Sequence, residues 1–154
     1  MSEHILKREQ WVPCPLEQVF EFFSSARNLE YLTPPWLKFR IVTLPIAIEP
    51  GVKIHYRIGW HGIPLKWITE IETWDPPHSF TDTQLKGPYT LWHHTHTFES
   101  SNGGTTLKDV VRYALPLGPL GDIVHALWVK RDVEKIFSYR QEQVAEMFGA
   151  ARAA

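Results

Sequence analysis

The sequence predicts an α+β fold. A curved antiparallel sheet of about six to seven strands wraps around one long C-terminal helix, with two short helices after the first strand. Three observations carry this reading. Between Gly118 and Phe148, apolar residues recur at Leu120, Ile123, Leu127, Val133, Phe137, Val144 and Phe148, in steps of three, four or their sums, which mark one helical face. From Leu37 to Leu115 the period falls to two, with turn residues between the runs. The helical signals near the start are short and stand between one strand and many, so no alternating βαβ pattern arises.

Taken in order, His4 to Trp11 reads as a strand, broken by Pro13-Cys14-Pro15. Pro15 opens a short helix with a broad apolar side of Val19, Phe20, Phe22 and Phe23, and a second short helix runs from about Ala26 to Leu32, stopped by Thr33-Pro34-Pro35. Phe39 and Ile41 then alternate with Lys38 and Arg40. Ile54, Tyr56 and Ile58 alternate with Lys53, His55 and Arg57, and Leu65, Trp67, Thr69 and Ile71 with Lys66, Ile68, Glu70 and Glu72. Pro76-Pro77 closes that strand. Ser79 to Lys86 and Tyr89 to Ser100 follow, and Asn102-Gly103-Gly104 signals a hairpin into a last strand, Thr105 to Leu115. Gly118-Pro119 starts the long helix and Asp122 suits its positive end. Gly149 ends it, while Lys130 and Gln141 interrupt a stripe that Val129, Ile136 and Met147 widen. Such a helix is roughly 45 Å long and needs a wide apolar surface beneath it.

The 154 residues are expected to form a single domain (1–154, core about 3–149) with a sizeable core. A composition of 44% hydrophobic and 21% charged residues with a net charge of −1 contains no basic stripe, so no nucleic-acid partner is expected. No apolar run approaches a membrane span, so no stable membrane insertion is expected, and Met1-Ser2-Glu3-His4 opens no signal peptide. The expectation is a cytoplasmic protein, monomer or homodimer. A single cysteine, Cys14, excludes an internal disulfide and reads as an inert thiol. Seven Trp, five Tyr and eight Phe exceed what a core of this size needs, as in proteins with aromatic-lined cavities.

Several stretches resemble a known family. Val12 to Phe20, Gly87-Pro88-Tyr89, Trp92-His93-His94-Thr95-His96-Thr97-Phe98-Glu99, and Gly103-Gly104-Thr105 through Tyr113-Ala114-Leu115-Pro116 look like the START/Bet v1-like (SRPBCC) superfamily, closest to its polyketide cyclase/dehydrase-like branch. The resemblance spans about Glu3 to Gly149. It implies a helix-grip fold with a cavity between curved sheet and long helix. It does not fix a function, since relatives include carriers and cyclases.

The candidate site lies on the strand from Trp92. Residues two apart share a face, so Trp92, His94, His96 and Phe98 point together, inward by their aromatic members. On the next strand Leu107, Asp109, Val111 and Tyr113 share a face opposite the solvent-facing Thr106, Lys108 and Arg112. His94, His96, Asp109 and Tyr113 are thus the candidates for fixing a ligand hydroxyl or carbonyl, or for acid–base catalysis. Tyr56, Trp67 and Phe137 join Trp92 and Phe98 as expected ligand-contacting residues, with Trp60 a further lining candidate; Trp36, after Thr33-Pro34-Pro35, reads as packing under its loop, with a place at the cavity mouth the alternative. His94-Thr95-His96 offers two imidazoles on one side with Asp109 the nearest third ligand, but no second metal motif accompanies it, and neither metal nor cofactor is expected. Three readings stand. The first is binding of a small hydrophobic molecule (lipid, polyketide, quinone or other aromatic). The second is cyclase or dehydratase chemistry by the same residues, and the third is a partner-binding module with a filled interior.

Overall fold

The computed structural model describes residues 2–43 and 48–149. The element order is β1 (His4–Val12), α1 (Leu16–Phe23), α2 (Asn28–Leu32), a 3₁₀ turn (Pro35–Leu37), β2 (Arg40–Thr43), β3 (Lys53–Trp60), β4 (Ile63–Asp75), β5 (Ser79–Lys86), β6 (Leu91–Ser101), β7 (Gly104–Ala114), α3 (Pro119–Val124), a π turn (His125–Val129) and α4 (Lys130–Phe148). Among the described residues, seven strands form one antiparallel sheet in the order β1-β7-β6-β5-β4-β3-β2. Register shifts between β4 and β5, at Ile68/Thr69 and Ile71/Thr73, are the bulges that let the sheet curl. The expected loose end, Ala151 to Ala154, lies outside the described residues.

Two-residue turns connect the central hairpins. Asn102 and Gly103 both have positive φ (49° and 76°), and so do His61 and Gly62 (47° and 83°), the backbone of a type I′ turn whose twist matches the strands it joins. Gly104 is needed for a different reason: a Cβ there would collide with the Val12 carbonyl and the Trp11 ring where β1 crosses.

α4 covers the β1–β7–β6 side of the sheet. Its N-terminal half buries Val133 and Phe137 against Leu6, Val111 and Tyr113. Its C-terminal half buries Val144 among Val12, Leu16, Val19, Phe20, Phe98 and Leu107, where α1 closes that end. The β4–β3 side carries only a small cluster, Ala26, Ile54 and Ile71. The tip of the β3–β4 hairpin reaches the helix there, with Trp60 packed against the cluster that holds Val133 and Phe137. Trp60 Nε1 donates to Asp132 Oδ2 of α4 at 2.8 Å, and His61 Nε2 lies 2.9 Å from the same oxygen.

The buried stripe of the terminal helix differs from the expected one. Leu120, Ile123 and Leu127, predicted to face the sheet, are 56%, 56% and 58% exposed, and Met147 is 40% exposed. The buried positions are Gly121, His125, Val129, Val133, Phe137 and Val144. Steps of four overshoot an α turn of 3.6 residues, so such a stripe drifts around the helix, and the wider π turn at His125–Val129 resets its phase. Lys130 does not interrupt the stripe, because it points to solvent. Gln141 ties α4 to β1, its amide donating to Glu9 O at 3.2 Å while Gln10 Nε2 donates to its own carbonyl at 2.8 Å. Among the described residues no helix is long and apolar enough to cross a membrane.

The π turn delivers His125 onto β1 and β7. Its ring stacks on His4 at 3.4 Å between centroids, and its Nε2 lies 2.8 Å from the Tyr113 hydroxyl. Burial lowers the His125 pKa, helped by His4 and Lys130 and opposed by Asp122 and Glu134. A group whose folded pKa is depressed costs nothing above its unfolded value, about 6.5 for histidine, and loses stability as pH falls below it. Urea unfolding between pH 8 and pH 5 is therefore expected to show a loss of stability that His125→Gln reduces. An unchanged pH slope in that variant would refute this role.

Candidate functional site

The site is built by alternation on three adjacent strands. On β6, His94 and His96 are buried on the same side as Trp92 and Phe98. In the strand register His94 faces Asp82 of β5, and His96 faces Asp109 of β7. Each imidazole bonds diagonally past its direct neighbour. His94 Nε2 is 2.8 Å from Asp109 Oδ1 and His96 Nε2 is 2.6 Å from Asp82 Oδ2. The second nitrogens complete the square at longer range: His94 Nδ1 to Asp82 Oδ2 is 3.9 Å, and His96 Nδ1 to Asp109 Oδ1 is 3.4 Å. The two rings stack at 3.6 Å, Phe80 stacks on His96 at 4.1 Å, and Phe137 meets His94 edge-on at 5.4 Å. Arg140 of α4, one turn after Phe137, brings Nη2 to 3.4 Å from His96 Nδ1, with its guanidinium over the rings of Phe23 and Phe137.

Burial alone pushes both carboxyls up, but it is outweighed. The bond from His96 and the charges of His94, His96 and Arg140 hold Asp82 below the usual carboxylate range. The Arg140 charge and the bonds from His94 and His96 hold Asp109 well below it. Burial, followed by the charge of its neighbour His96, lowers His94 to about 4, against the pull of Asp109 and Asp82. His96 is also pushed down by burial, but its bonds to Asp109 and Asp82 win and raise it. Asp82 and Asp109 thus face one guanidinium, Arg140, and two imidazoles, of which His94 is held neutral and His96 is the more readily protonated.

These residues edge a cavity of about 350 Å3 between the sheet and the helix. Asp82, His94, His96 and Arg140 form one polar wall, and the rest is largely apolar, including Ile54, Leu65, Ile136 and Phe137. The aromatic part is a set of mutually packed rings. Tyr56 stacks on Trp67 at 5.9 Å, Trp67 meets Trp92 edge-on at 5.4 Å, and Tyr89 lies 4.8 Å from Trp92.

Of the residues singled out from the sequence, Tyr56, Trp67, Trp92, His94, His96 and Phe137 line this cavity together, with Trp60 also in its wall. Asp109 stands behind the two imidazoles. Phe98 lies beyond His96 in the core around Phe20 and Val144. Tyr113, further along β7 than Asp109, does not join the His–Asp cluster, because its hydroxyl is taken up by His125. Trp36 is half-exposed on the 3₁₀ turn, edge-on to Tyr139 at 5.7 Å, rather than at the cavity. The Cys14 thiol lies 3.4 Å from the Phe148 carbonyl, a local structural contact.

Two polar members were missed from the sequence, Asp82 and Arg140. For Asp82 the signal was present: Phe80-Thr81-Asp82 puts a carboxylate on the inward face of β5. For Arg140 the signal was its place three residues after Phe137, on the same side of the helix. Asp82, His94 and His96 also offer ligand atoms within 4.8 Å of one another, enough to hold a metal ion.

Comparison with known proteins places these features in context. The family model described as polyketide cyclase / dehydrase and lipid transport matches residues 12–136. No curated protein matches the chain. Among solved structures the chain is similar to protein Ms6760 from Mycobacterium smegmatis, at 21% identity, TM-score 0.67, covering 93% of this chain and 89% of that one. It is similar to TTHA0849 from Thermus thermophilus at 23% identity, TM-score 0.64, covering 94% and 99%. A START superfamily protein from Mycobacterium smegmatis matches at 14% identity, TM-score 0.70, covering 94% and 99%. At these identities the likeness carries the fold.

The diagonal bonding makes His94 and Asp109 a coupled pair. Asp109→Asn is expected to cost about 1–3 kcal/mol in urea unfolding. The His94→Gln/Asp109→Asn double variant should lose less than the sum of the two single losses, by about 0.5 kcal/mol or more. Strict additivity would show that the pair is not coupled.

Proposed function

The chain belongs to the polyketide cyclase / dehydrase and lipid transport family of the START/Bet v1-like superfamily, and from that premise we propose that it binds a small hydrophobic molecule between sheet and helix. The observation that carries the reading is the cavity itself. Its volume of about 350 Å3 falls within the span of small-molecule sites, about 300–1,000 Å3, and it is mostly apolar with a few convergent polar groups. Packed rings of Tyr56, Trp67, Tyr89 and Trp92 favour a flat occupant over a flexible chain, since ring faces and edges give contact without ordering many rotors. The wall of Asp82, His94, His96 and Arg140 would orient an oxygen function on that occupant. The ligand class proposed is therefore an oxygenated aromatic of the polyketide or quinone kind.

A second reading, cyclisation or dehydration of such a molecule, draws on one feature. An imidazole backed by a carboxylate, His94 on Asp109, stands at the cavity wall, as a general base would. Binding is preferred because the polar side chains already satisfy one another at 2.6 and 2.8 Å, so they hold together without a substrate.

Titration with a hydroxylated naphthoquinone or anthraquinone, followed by quenching of tryptophan fluorescence, is expected to saturate at one equivalent. Trp92→Ala should weaken binding about tenfold. Leu65→Trp, which fills the cavity, should abolish it without lowering the melting temperature. Absence of saturable binding by quinone, polyketide and fatty-acid probes alike would sink the proposal. Chemical conversion of the bound probe, lost in His94→Ala, would replace it with the second reading.

A further inference from the structure

We propose that Asp82, His94 and His96 form a binding site for one divalent first-row transition-metal ion at the polar wall of the cavity, with Asp109 holding both imidazoles from behind. Two histidines and one aspartate within 4.8 Å supply two nitrogens and one oxygen, a donor set that suits zinc, cobalt(II) or iron(II). Donor type alone is a weak argument, because Asp–His contacts are common. The ring orientations add a stronger one.

A ligating histidine must present one nitrogen to the metal and donate its other N–H elsewhere, most often to a carboxylate. The His94 ring is turned that way, and the His96 ring presents Nε2 on the same side as His94 Nδ1. On the Asp82 side stand His94 Nδ1 and His96 Nε2, at 3.9 and 2.6 Å from Asp82 Oδ2. On the opposite side His94 Nε2 and His96 Nδ1 point to one and the same oxygen, Asp109 Oδ1, at 2.8 and 3.4 Å. With His94 protonated at Nε2 towards Asp109, its Nδ1, His96 Nε2 and Asp82 ligate together once a metal displaces the proton between His96 Nε2 and Asp82, leaving His96 Nδ1 at 3.4 Å from both Asp109 and the Arg140 guanidinium. The stacking of the rings at 3.6 Å keeps the two ligating edges side by side.

Charge and access agree. With both imidazoles neutral, Asp82 and Asp109 outweigh Arg140 by one negative charge, which favours a cation. Arg140 approaches His96 at Nδ1, the Asp109 edge, and so stands behind the ring rather than among the ligand atoms. Asp82, His94 and His96 line the cavity while Asp109 does not, so the coordination positions left by three protein ligands open onto the space an occupant would fill. The site does not depend on which hydrophobic molecule the cavity takes.

The test uses the full chain stripped with a chelator and dialysed, titrated with Zn²⁺ by calorimetry and with Co²⁺ by visible absorption. The expected result is one equivalent of each ion, with Co²⁺ d–d bands that Zn²⁺ displaces. Asp82→Asn should abolish the Co²⁺ bands. Asp109→Asn should retain one equivalent at about 10- to 100-fold weaker affinity. His93→Gln, on the other face of β6 beside Glu72, should bind as the wild type does. Wild-type protein that takes up neither ion stoichiometrically overturns the proposal, as does an Asp82→Asn variant with an unchanged Co²⁺ spectrum. The wild-type titration requires no variant, so it decides the matter even if Asp82→Asn fails to fold. Quinone binding measured on the stripped protein separates failure of the metal site from failure of the cavity reading.

Discussion

Two carboxylates on the concave side of β5 and β7 must be neutralised where they stand, and much of the molecule is arranged around that requirement. An unpaired carboxylate taken from water into such a site costs several kcal/mol. The compensation comes from three directions: imidazoles two residues apart on β6, diagonal bonds at 2.6 and 2.8 Å, and the Arg140 guanidinium from α4. None of these survives a register error. A slip of one residue in β6 would turn His94 and His96 to the outer face and leave Asp82 and Asp109 without donors. The tight Asn102–Gly103 turn, with φ of 49° and 76°, fixes how β6 meets β7, so hairpin geometry and buried electrostatics enforce the same pairing.

The cavity follows from unequal coverage of the sheet. α4 packs directly on β1, β6 and β7, where Leu6, Val111, Val133 and Phe137 interlock. Over β3 and β4 the sheet curves away from its bulges and touches the helix through the Trp60 and His61 contacts to Asp132. Polar bonds at the rim hold the walls apart without filling the space between them. Large rings on the inner faces of β3, β4 and β6 support one another through edge and face contacts, and Phe137 of the helix meets that set at Trp92.

The broad architecture was legible in the sequence because it rests on periodicity. Period two from Ile54 to Tyr113 and the Asn-Gly turn required a meander, and the long amphipathic tail required a sheet to lie on. The helix face was legible only in its second half. Val133, Phe137 and Val144 obey α spacing, but the π turn at His125–Val129 is a local choice made by packing, and no residue pattern announces it. The direction of His94 and His96 could be read from the flanking Trp92 and Phe98. Their partners were less accessible. Asp82 sits on a strand whose polar alternation looks ordinary until Phe80 is seen to point inward, and Tyr113 is claimed by His125, which the expected helix phase had left out of account. Arg140 shares a helix side with Phe137, which spacing shows, but its pairing with His96, 44 residues away, leaves no trace in local spacing.

The distribution of polarity inside the cavity sets what an occupant gains from entering it. Its charged groups cluster on one wall and are satisfied by each other, so that wall carries little electrostatic penalty when the cavity is empty. The gain on binding must then come mainly from apolar area removed from water, at roughly 25 cal/mol per Å2. The polar wall contributes direction instead. An occupant with an oxygen at one end can meet Arg140 or an ion held by Asp82, His94 and His96, whereas the reversed pose would bury that oxygen against the hydrocarbon side chains of Ile54, Leu65 and Ile71. Burying an unpaired oxygen costs about 1–3 kcal/mol by mutational measures, enough to make one orientation dominate by tenfold or more. Affinity and orientation are thus assigned to different walls, and a change to one wall need not disturb what the other provides.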